Sequence, residues 1–184
     1  MKILVTGGAG FIGRWIVERL LKDGHELWVI DNLANSSLDN LKEFQHATNL
    51  KKVMILDMKE RDALQTLFQE VDFDICYHLA ASINVQDSID DPETTFMNDT
   101  VATFYLLEEC RKKHVKMVFM STCMVYDRAS KQSGIDEHSP TKPASPYAGA
   151  KIGAENLVLS YYFAYGLPTV VVRPFNTYGP FQKT

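Results

Sequence analysis

Three side chains in the second half of the sequence have the types and order suited to proton transfer at a hydroxyl group. Tyr147 and Lys151 fall in a segment with helical periodicity, where an i, i+4 spacing places both on one face. Tyrosine is a poor base at neutral pH because its ordinary pKa is about 10, but a nearby ammonium group stabilises the phenolate. Thr122 follows a buried apolar run and adds a second hydroxyl. Most Tyr–Lys pairs at this spacing are surface neighbours, so the pattern needs support elsewhere.

That support comes from a glycine-rich turn close to the N-terminus. Residues 6–13 read Thr-Gly-Gly-Ala-Gly-Phe-Ile-Gly, between an apolar run and a helix-period segment. Gly7 allows a tight turn, Gly10 lets the backbone approach a pyrophosphate, and Gly13 lets the helix pack on the strand. An anion would then sit at the helix N-terminus, where free N–H groups and the helix dipole favour it. The turn therefore predicts dinucleotide binding, with a ligand-free strand–helix turn as the alternative.

Acidic residues end the next two predicted strands. Asp31 lies 18 residues beyond Gly13, where a carboxylate accepts hydrogen bonds from the ribose hydroxyls and repels a 2′-phosphate. This placement favours NAD over NADP. Asp57 follows the third strand, and it either bonds the adenine amino group or caps the following helix. His78 on the fourth strand is interpreted as a hydrogen-bonded scaffold residue and not as a base.

Apolar runs alternate with helix-period segments along the whole sequence. Several runs are apolar at consecutive positions, which is typical of strands buried on both faces of a parallel sheet. We therefore predict an α/β fold in which a doubly wound parallel sheet carries helices on both faces. The six predicted strands are 2–6, 27–30, 52–56, 74–79, 115–121 and 169–173.

Two long helices are predicted in the second half. Pro92 suits the first position of a helix reaching His114, and a second helix runs from Ser145-Pro146 to near Gly166. Between the fifth strand and this second helix lies a polar loop of about twenty residues, a length that usually carries function or moves. The candidate core positions of the first helix are Phe96, Val101, Phe104, Leu107 and Cys110.

Composition excludes several classes of protein. The 184 residues suit one domain, the apolar share of 46% supports a core, and the net charge of −4 without a basic run argues against nucleic acid as a partner. Three cysteines without C-x-x-C spacing argue against zinc, so we expect no metal and a reducing, cytoplasmic compartment. The sequence has no signal-peptide layout and no apolar run of about 18 residues, so we expect no membrane insertion.

Together these motifs resemble the extended short-chain dehydrogenase/reductase family, the NAD-dependent nucleotide-sugar epimerases and dehydratases. The resemblance implies a Rossmann fold with strand order 3-2-1-4-5-6 and NAD as cofactor. The matching segments, in the family's order, are 6–13, 31–33, 78–81, 121–126, 147–151 and 173–180.

The resemblance also implies roles for individual residues. The catalytic residues would be Thr122, Tyr147 and Lys151, and Asn176 would contact the diphosphate of the nucleotide sugar. Tyr161, Tyr162 and Phe163 would contribute to the core and to a homodimer contact. The cofactor contacts would be Gly7, Gly10, Phe11, Ile12, Gly13, Asp31, Asn32, Asp57, Met58, Leu79, Ala80, Ala81, Asp99, Tyr147, Lys151 and Phe175.

The sequence departs from the family pattern at two sites. Asp99, with Asn98 beside it, occupies a position where the family often has Asn, which puts its cofactor contact in doubt. Thr122-Cys123-Met124 stands where the 4,6-dehydratases have Thr-Asp-Glu. Dehydration needs an acid for the departing C6 hydroxyl and a base for the C5 proton. Met124 can do neither, and Cys123 can at most replace the acid.

These departures favour C4 epimerisation of a UDP-sugar through a transient 4-keto intermediate. The alternatives are a nucleotide-sugar 4,6- or 5,6-dehydratase that uses Cys123, and a non-catalytic NAD-binding regulator. Residues 1–184 are expected to form the NAD-binding domain. Since relatives commonly carry a C-terminal sugar-binding domain, we expect this sequence to be a fragment without it.

Overall fold

The computed structural model describes residues 1–127 and 134–182, and in them six parallel strands form one sheet. The strands are β1 (Lys2–Thr6), β2 (Glu26–Asp31), β3 (Leu50–Ile55), β4 (Ile75–His78), β5 (Lys116–Met120) and β6 (Thr169–Val172). Their order in the sheet is β3-β2-β1-β4-β5-β6. This order confirms the predicted doubly wound sheet, because successive strands are added to one side of β1 up to β3 and to its other side from β4 onwards.

Helices connect these strands, together with 3₁₀ turns over Leu38–Phe44 and Cys123–Val125 and a π-helical turn over Met97–Val101. The α-helices are α1 (Phe11–Lys22), α2 (Arg61–Glu70), α3 (Val85–Asp90), α4 (Pro92–Phe96), α5 (Ala102–Lys113) and α6 (Pro146–Tyr165).

The central strand β1 has apolar side chains buried on both faces of the sheet. Leu4 belongs to the core on one side, with Phe68 of α2 and Leu106 of α5. Its neighbours Ile3 and Val5 belong to a second core on the opposite side, which α1 covers. Consecutive apolar residues in β1 therefore fill two separate cores, as expected for a strand buried on both faces.

The helix predicted from Pro92 to His114 is interrupted. The π-helical turn separates α4 from α5, and the inserted residue rotates the preceding helical face relative to the following one. Phe96 and Phe104 are 51% and 37% exposed, so their assignment to the core is wrong. Leu107 and Cys110 are fully buried, as predicted, and the buried face of α5 also includes Leu106.

The helix α6 agrees with its prediction at both ends. The Ser145 hydroxyl caps it by accepting a hydrogen bond from the Ala148 amide at 3.2 Å, and Pro146 occupies the first helical position. Gly166, with φ of 66°, ends the helix in the left-handed conformation. Tyr147 and Lys151 lie on the buried face of α6, directed towards the sheet.

Part of the long polar loop before α6, residues 128–133, lies outside the described residues, so its predicted function is not tested. No helix in the described ranges is long and apolar enough to span a membrane. Within the same ranges, no cluster of His, Cys, Asp and Glu could hold a metal ion.

Candidate active site

A crevice of about 670 Å³ opens at the carboxyl ends of the strands, beside the point where the strand order reverses. Open α/β sheets bind their ligands at this place. Apart from Asp99, every residue predicted to contact cofactor or substrate lines the crevice. These residues are Gly7, Gly10, Phe11, Ile12, Gly13, Asp31, Asn32, Asp57, Met58, Leu79, Ala80, Ala81, Thr122, Tyr147, Lys151, Phe175 and Asn176.

The glycine turn at one end of the crevice is too tight for side chains. Gly7 has a φ of 70°, and a Cβ on it would lie 2.7 Å from the Ala80 nitrogen. A Cβ on Gly13 would lie 2.1 Å from the Gly7 carbonyl oxygen. Gly10 is less confined, because a Cβ there would meet only the Gly7 oxygen, at 3.2 Å. Shape alone therefore requires glycine at Gly7 and Gly13.

The N-terminus of α1 offers free donors to the crevice. Its capping residue Gly10 supplies no side-chain hydrogen bond. Within the described ranges, the amides of Phe11, Ile12 and Gly13 also donate to no protein acceptor. The positive end of the helix dipole adds to these donors. The turn is therefore suited to an anionic group such as a pyrophosphate, without a positively charged side chain.

The Asp31 carboxylate is held in place by three hydrogen bonds. It accepts them from the Ala9 amide at 3.0 Å, the Leu33 amide at 2.9 Å and the Ser36 hydroxyl at 2.7 Å. Asn40 fixes the same turn by donating to the Ala9 carbonyl at 2.8 Å. Asp31 thus joins the glycine turn to the loop after β2, with its carboxylate at the crevice edge. Sequence reasoning missed both residues, since Ser36 lies in a loop of ordinary polar composition and Asn40 lies in the 3₁₀ turn Leu38–Phe44.

Asp57 lines the crevice but does not cap a helix. Its carboxylate accepts a hydrogen bond from the Lys59 amide at 2.9 Å and closes a turn ahead of α2. The residue at the capping position of α2 is Glu60. The helix-cap alternative for Asp57 is therefore wrong, because the turn inserts additional residues between β3 and α2.

Thr122, Tyr147 and Lys151 converge at the opposite end of the crevice. All three are buried, and Lys151 is only 2% exposed. The Lys151 Nζ lies 4.5 Å above the ring of Phe119. The Thr122 hydroxyl caps the 3₁₀ turn Cys123–Val125 by accepting from the Met124 amide at 3.2 Å. The end of β5 and the start of α6 therefore bring together Thr122 and Tyr147, which are 25 residues apart in the sequence.

Burial shifts both ionisable groups of this cluster away from their charged forms. It raises the pKa of the Tyr147 phenol, a change that the Thr122 hydroxyl opposes and Asp99 and Cys123 reinforce. Burial also lowers the pKa of Lys151, whereas the carboxylates of Asp99 and Glu155 raise it. In this chain the Tyr147 pKa therefore moves opposite to the direction that a base requires. The expected lowering needs a further positive charge in the crevice.

Asp99 is fully buried and does not line the crevice. The π-helical turn directs it inward, where it accepts a hydrogen bond from the Ser82 amide at 2.6 Å. Asn98 faces the crevice instead and bonds to the Ser82 hydroxyl at 3.0 Å and to Lys59 Nζ at 2.6 Å. A direct contact between Asp99 and the cofactor therefore does not fit its position. Asn98, which directly precedes Asp99, was the sequence signal that could have indicated the residue facing the crevice.

His78 acts as a buried link between β1 and the π-helical turn. Its Nδ1 lies 2.7 Å from the Thr6 hydroxyl and its Nε2 lies 2.9 Å from the Thr103 hydroxyl, which donates to the Asp99 carbonyl. Because the Thr103 hydrogen is used there, Nε2 donates and Nδ1 accepts. Burial, with a smaller contribution from Lys151, lowers the His78 pKa to about 3. A neutral, fully bonded imidazole agrees with the scaffold role predicted for it.

Behind Tyr147, an ion pair connects α6 to the segment after β6. Arg173 bonds both carboxylate oxygens of the fully buried Glu155, at 2.6 to 3.1 Å. The Arg173 guanidinium lies 4.8 Å from the ring of Tyr126, which stacks on Phe175 at 6.4 Å. This arrangement fixes the wall that carries Phe175. The Glu155–Arg173 pair could not be predicted from local sequence patterns, since its members belong to different elements.

Comparison with known proteins places these features in one family. The family model described as "GDP-mannose 4,6 dehydratase" matches residues 4–184. A dTDP-D-glucose 4,6-dehydratase of Dictyostelium discoideum is 36% identical over 98% of this chain and 45% of its own length.

Solved structures also cover the whole chain, and two of them illustrate the similarity. Pal from Bacillus thuringiensis has 67% sequence identity and a TM-score of 0.99, and this chain covers 59% of it. The Thermus thermophilus UDP-glucose 4-epimerase, solved in complex with NAD, has 35% identity and a TM-score of 0.91, with 58% covered. The chain spans about half the length of the curated relatives it matches.

Proposed function

The chain belongs to the extended short-chain dehydrogenase/reductase family of nucleotide-sugar epimerases and dehydratases, and on this basis we propose that it epimerises the C4 hydroxyl of a UDP-sugar using NAD. One observation carries the proposal. Thr122, Tyr147 and Lys151 converge in the crevice that also contains the glycine turn. A sugar hydroxyl between them would therefore lie near both a proton acceptor and a bound dinucleotide.

NAD is favoured over NADP by the charges around the crevice. Asp31 places a carboxylate where the adenosine ribose would bind, and this charge repels a 2′-phosphate. Among the described lining residues, Lys151 is the only positively charged side chain, and it lies at the Tyr147 end. The glycine turn offers backbone amides for the pyrophosphate. The Thermus thermophilus epimerase, which is similar in fold, was solved with NAD.

When bound in the crevice, NAD would supply reversible hydride transfer at C4 of the sugar, away from one face of this carbon and back to the other. The Tyr147 phenolate takes the C4 hydroxyl proton as the C4–H bond breaks, and it gives the proton back when the ketone is reduced. Thr122 donates a hydrogen bond to the same oxygen and steadies it during both steps. Lys151 donates to the cofactor ribose, and its charge favours the phenolate. The cycle consumes no external reductant.

The residues beside Thr122 favour epimerisation over dehydration. Met124 has no group that can transfer a proton, so the acid–base pair of a 4,6-dehydratase is incomplete here. One observation supports a dehydratase as the second candidate, because Cys123 lines the crevice close enough to raise the Tyr147 pKa. Its thiol could protonate a departing C6 hydroxyl. The complete Thr122–Tyr147–Lys151 set argues against a regulator that binds NAD without turnover.

We also propose a homodimer formed by the outer faces of α5 and α6. Tyr162, Phe163 and Leu159 of α6 and Phe104 of α5 are exposed apolar side chains on these faces. Tyr161, in contrast, is buried, and its hydroxyl bonds Glu108 at 2.6 Å. Exposed apolar side chains on neighbouring helices are typical of interaction surfaces. Phe163→Asp should shift the protein to a smaller species in analytical ultracentrifugation.

The decisive experiment follows UDP-, dTDP- and GDP-sugars by NMR with the purified protein in D₂O. An epimerase converts a UDP-sugar to its C4 epimer without deuterium at C5. A dehydratase removes water from the sugar and produces a 6-deoxy-4-keto sugar that carries deuterium from the solvent. Tyr147→Phe serves as the inactive control. Denaturing the purified protein and measuring the released nucleotide tests whether it holds NAD. Release of NAD without conversion of any sugar would favour the regulator.

A further inference from the structure

The catalytic wall, which comprises Thr122, Tyr147 and Lys151 with the buried His78 and Asp99, contains a carboxylate without a complete set of hydrogen-bond partners. One Asp99 oxygen accepts from the Ser82 amide at 2.6 Å, but the other, Oδ2, has no hydrogen-bond partner among the described residues. The side chain is fully buried, and leaving a carboxylate oxygen unsatisfied in such a place is costly. A buried charge of this kind needs an opposite charge nearby.

The backbone brings Asp99 close to Lys151. The neighbouring Thr100 hydroxyl donates to the Ala150 carbonyl at 2.9 Å, which fastens the π-helical turn to the residue before Lys151. The same threonine side chain packs against Gly153, where an added Cβ would lie 3.9 Å from it. Asp99 is therefore next in sequence to Thr100, and Lys151 is next to Ala150, and the bond between Thr100 and Ala150 joins the π-helical turn to α6.

Lys151 lacks a partner of its own. The described residues place no acceptor within hydrogen-bond distance of its Nζ, which lies 4.5 Å from the centre of the Phe119 ring. Burial lowers the Lys151 pKa, so without a counter-charge the ammonium would tend to lose its proton. Glu155 is also near, but Arg173 already binds both of its carboxylate oxygens.

The remaining titratable groups around Asp99 carry no charge that competes with this pair. From α6, Tyr147 is neutral because burial raises its pKa. From β4, His78 is neutral and reaches Asp99 only through the Thr103 hydroxyl. Among the described residues, no charged group of α4 or α5 alters the Asp99 pKa, and Lys151 is the only charged side chain that does.

We propose that Asp99 is the counter-ion of Lys151, a positioning residue that keeps the lysine protonated beneath the cofactor ribose. This inference rests on the proposed function, in which the Lys151 ammonium binds the ribose and favours the Tyr147 phenolate. The Asp99–Lys151 pair is charged only within a defined range of pH. Burial raises the Asp99 pKa to about 6, so the carboxylate is charged at neutral pH and becomes protonated below that value. When Asp99 loses its charge, the pKa of Lys151 falls further, so the lysine gives up its proton at a lower pH than it does beside the carboxylate.

A double-mutant cycle tests the Asp99–Lys151 pair without measuring enzymatic activity. Urea unfolding midpoints are measured at pH 8 after bound nucleotide is removed, for Asp99→Asn, Lys151→Met and the double variant. Lys151→Met leaves a buried carboxylate unpaired, so its midpoint should fall relative to the parent, and this difference should grow as the pH rises from 5 to 8. Adding Asp99→Asn should recover part of that loss and remove the additional pH dependence that Lys151→Met introduces. The matched cycle, Asp72→Asn with Lys113→Met, changes an exposed pair at 3.2 Å and should show no coupling.

The second measurement is the pH profile of NAD binding, followed by calorimetry between pH 7 and pH 10. In Asp99→Asn, the weakening of NAD binding at alkaline pH should begin about one pH unit lower than in the parent protein. Asp72→Asn should leave the profile unchanged. Additive unfolding midpoints and superimposable profiles would together refute the pair. Failure to turn over any sugar would refute the proposed function alone, since neither measurement depends on turnover.

Discussion

The two ends of the crevice are built on different physical principles. At the glycine turn, recognition depends on shape and on hydrogen bonds that are already formed, as with the three bonds to Asp31. At the catalytic wall, four ionisable side chains are buried together with shifted pKa values: His78, Asp99, Tyr147 and Lys151. The first end acts through preformed hydrogen bonds and steric fit, whereas the protonation states at the second end depend on the charges that surround it.

The difference separates the effects of substitutions. A change at the glycine turn acts through steric overlap or a lost hydrogen bond, so it should alter cofactor affinity at any pH. A change at the wall alters protonation, so it should act on hydride transfer or on the pH dependence of stability and of NAD binding. Four predictions test this separation, in order of expected effect.

Tyr147→Phe should lower turnover of the sugar by about 10²–10⁴-fold, because the C4 hydroxyl loses its base. Cofactor affinity should change little, since the hydroxyl is at the wall. The measurement is the transient NADH absorbance when substrate is added, which the variant should not show. Tyr161→Phe, which removes a buried hydroxyl of the same helix outside the crevice, is the matched control and should keep it. Undiminished turnover in Tyr147→Phe would assign the base to another residue.

Gly13→Ala should lower the free energy of unfolding by about 3 kcal/mol and abolish NAD binding. The added Cβ would lie 2.1 Å from the Gly7 oxygen and 2.7 Å from the Gly8 Cα, so the turn must open. Gly149→Ala is the control, because its Cβ would meet nothing within 4 Å and the change should stabilise α6 by up to about 1 kcal/mol. Urea unfolding and calorimetry with NAD measure both effects. Equal behaviour of the two variants would contradict the steric account.

Asp31→Ala should weaken NAD binding by about 1.5–3 kcal/mol, which is the worth of a charge-assisted hydrogen bond to the ribose. It should also reduce discrimination against NADP, since the repulsive carboxylate is gone. Asp39→Ala removes an exposed carboxylate outside the crevice and should leave both affinities unchanged. Calorimetry with the two dinucleotides gives the result. An unchanged preference for NAD would show that Asp31 does not select the cofactor.

The parent protein should lose about 2 kcal/mol of stability through His78 when the pH falls from 7 to 5. Its folded pKa of about 3 lies below the ordinary value of 6.5, so its contribution is complete above pH 6.5 and declines as the pH falls. Asp99 acts in the opposite sense, because its folded pKa is raised to about 6 and its contribution is lost as the pH rises.

Urea unfolding of His78→Gln and of the exposed His46→Gln at both pH values isolates the His78 contribution. Only in His78→Gln should the stability at pH 5, relative to that at pH 7, be higher than in the parent, because the opposing contribution of Asp99 remains. Equal slopes in the two variants would place the acid sensitivity elsewhere in the molecule.

Features with a local pattern were predictable from the sequence. The alternation of apolar runs and helical segments determined the doubly wound sheet, because each element reveals its own buried face. The spacing of Gly7, Gly10 and Gly13 and the i, i+4 spacing of Tyr147 and Lys151 needed no knowledge of distant residues. The ends of α6 followed from Ser145, Pro146 and Gly166, whose capping preferences act within one helical turn.

Features that depend on contacts between distant elements were decided only by the tertiary structure. The π-helical turn directs Asp99 inward and Asn98 into the crevice, a choice that no local preference of either residue determines. The bonds from His78 to Thr6 and Thr103 and the Glu155–Arg173 pair each join separate elements. A protonation state depends on burial and on neighbouring charges, and both exist only once the chain is folded. The sequence could therefore name the tyrosine and the lysine, while their charges are set by the packing of β4, β5 and the π-helical turn against α6.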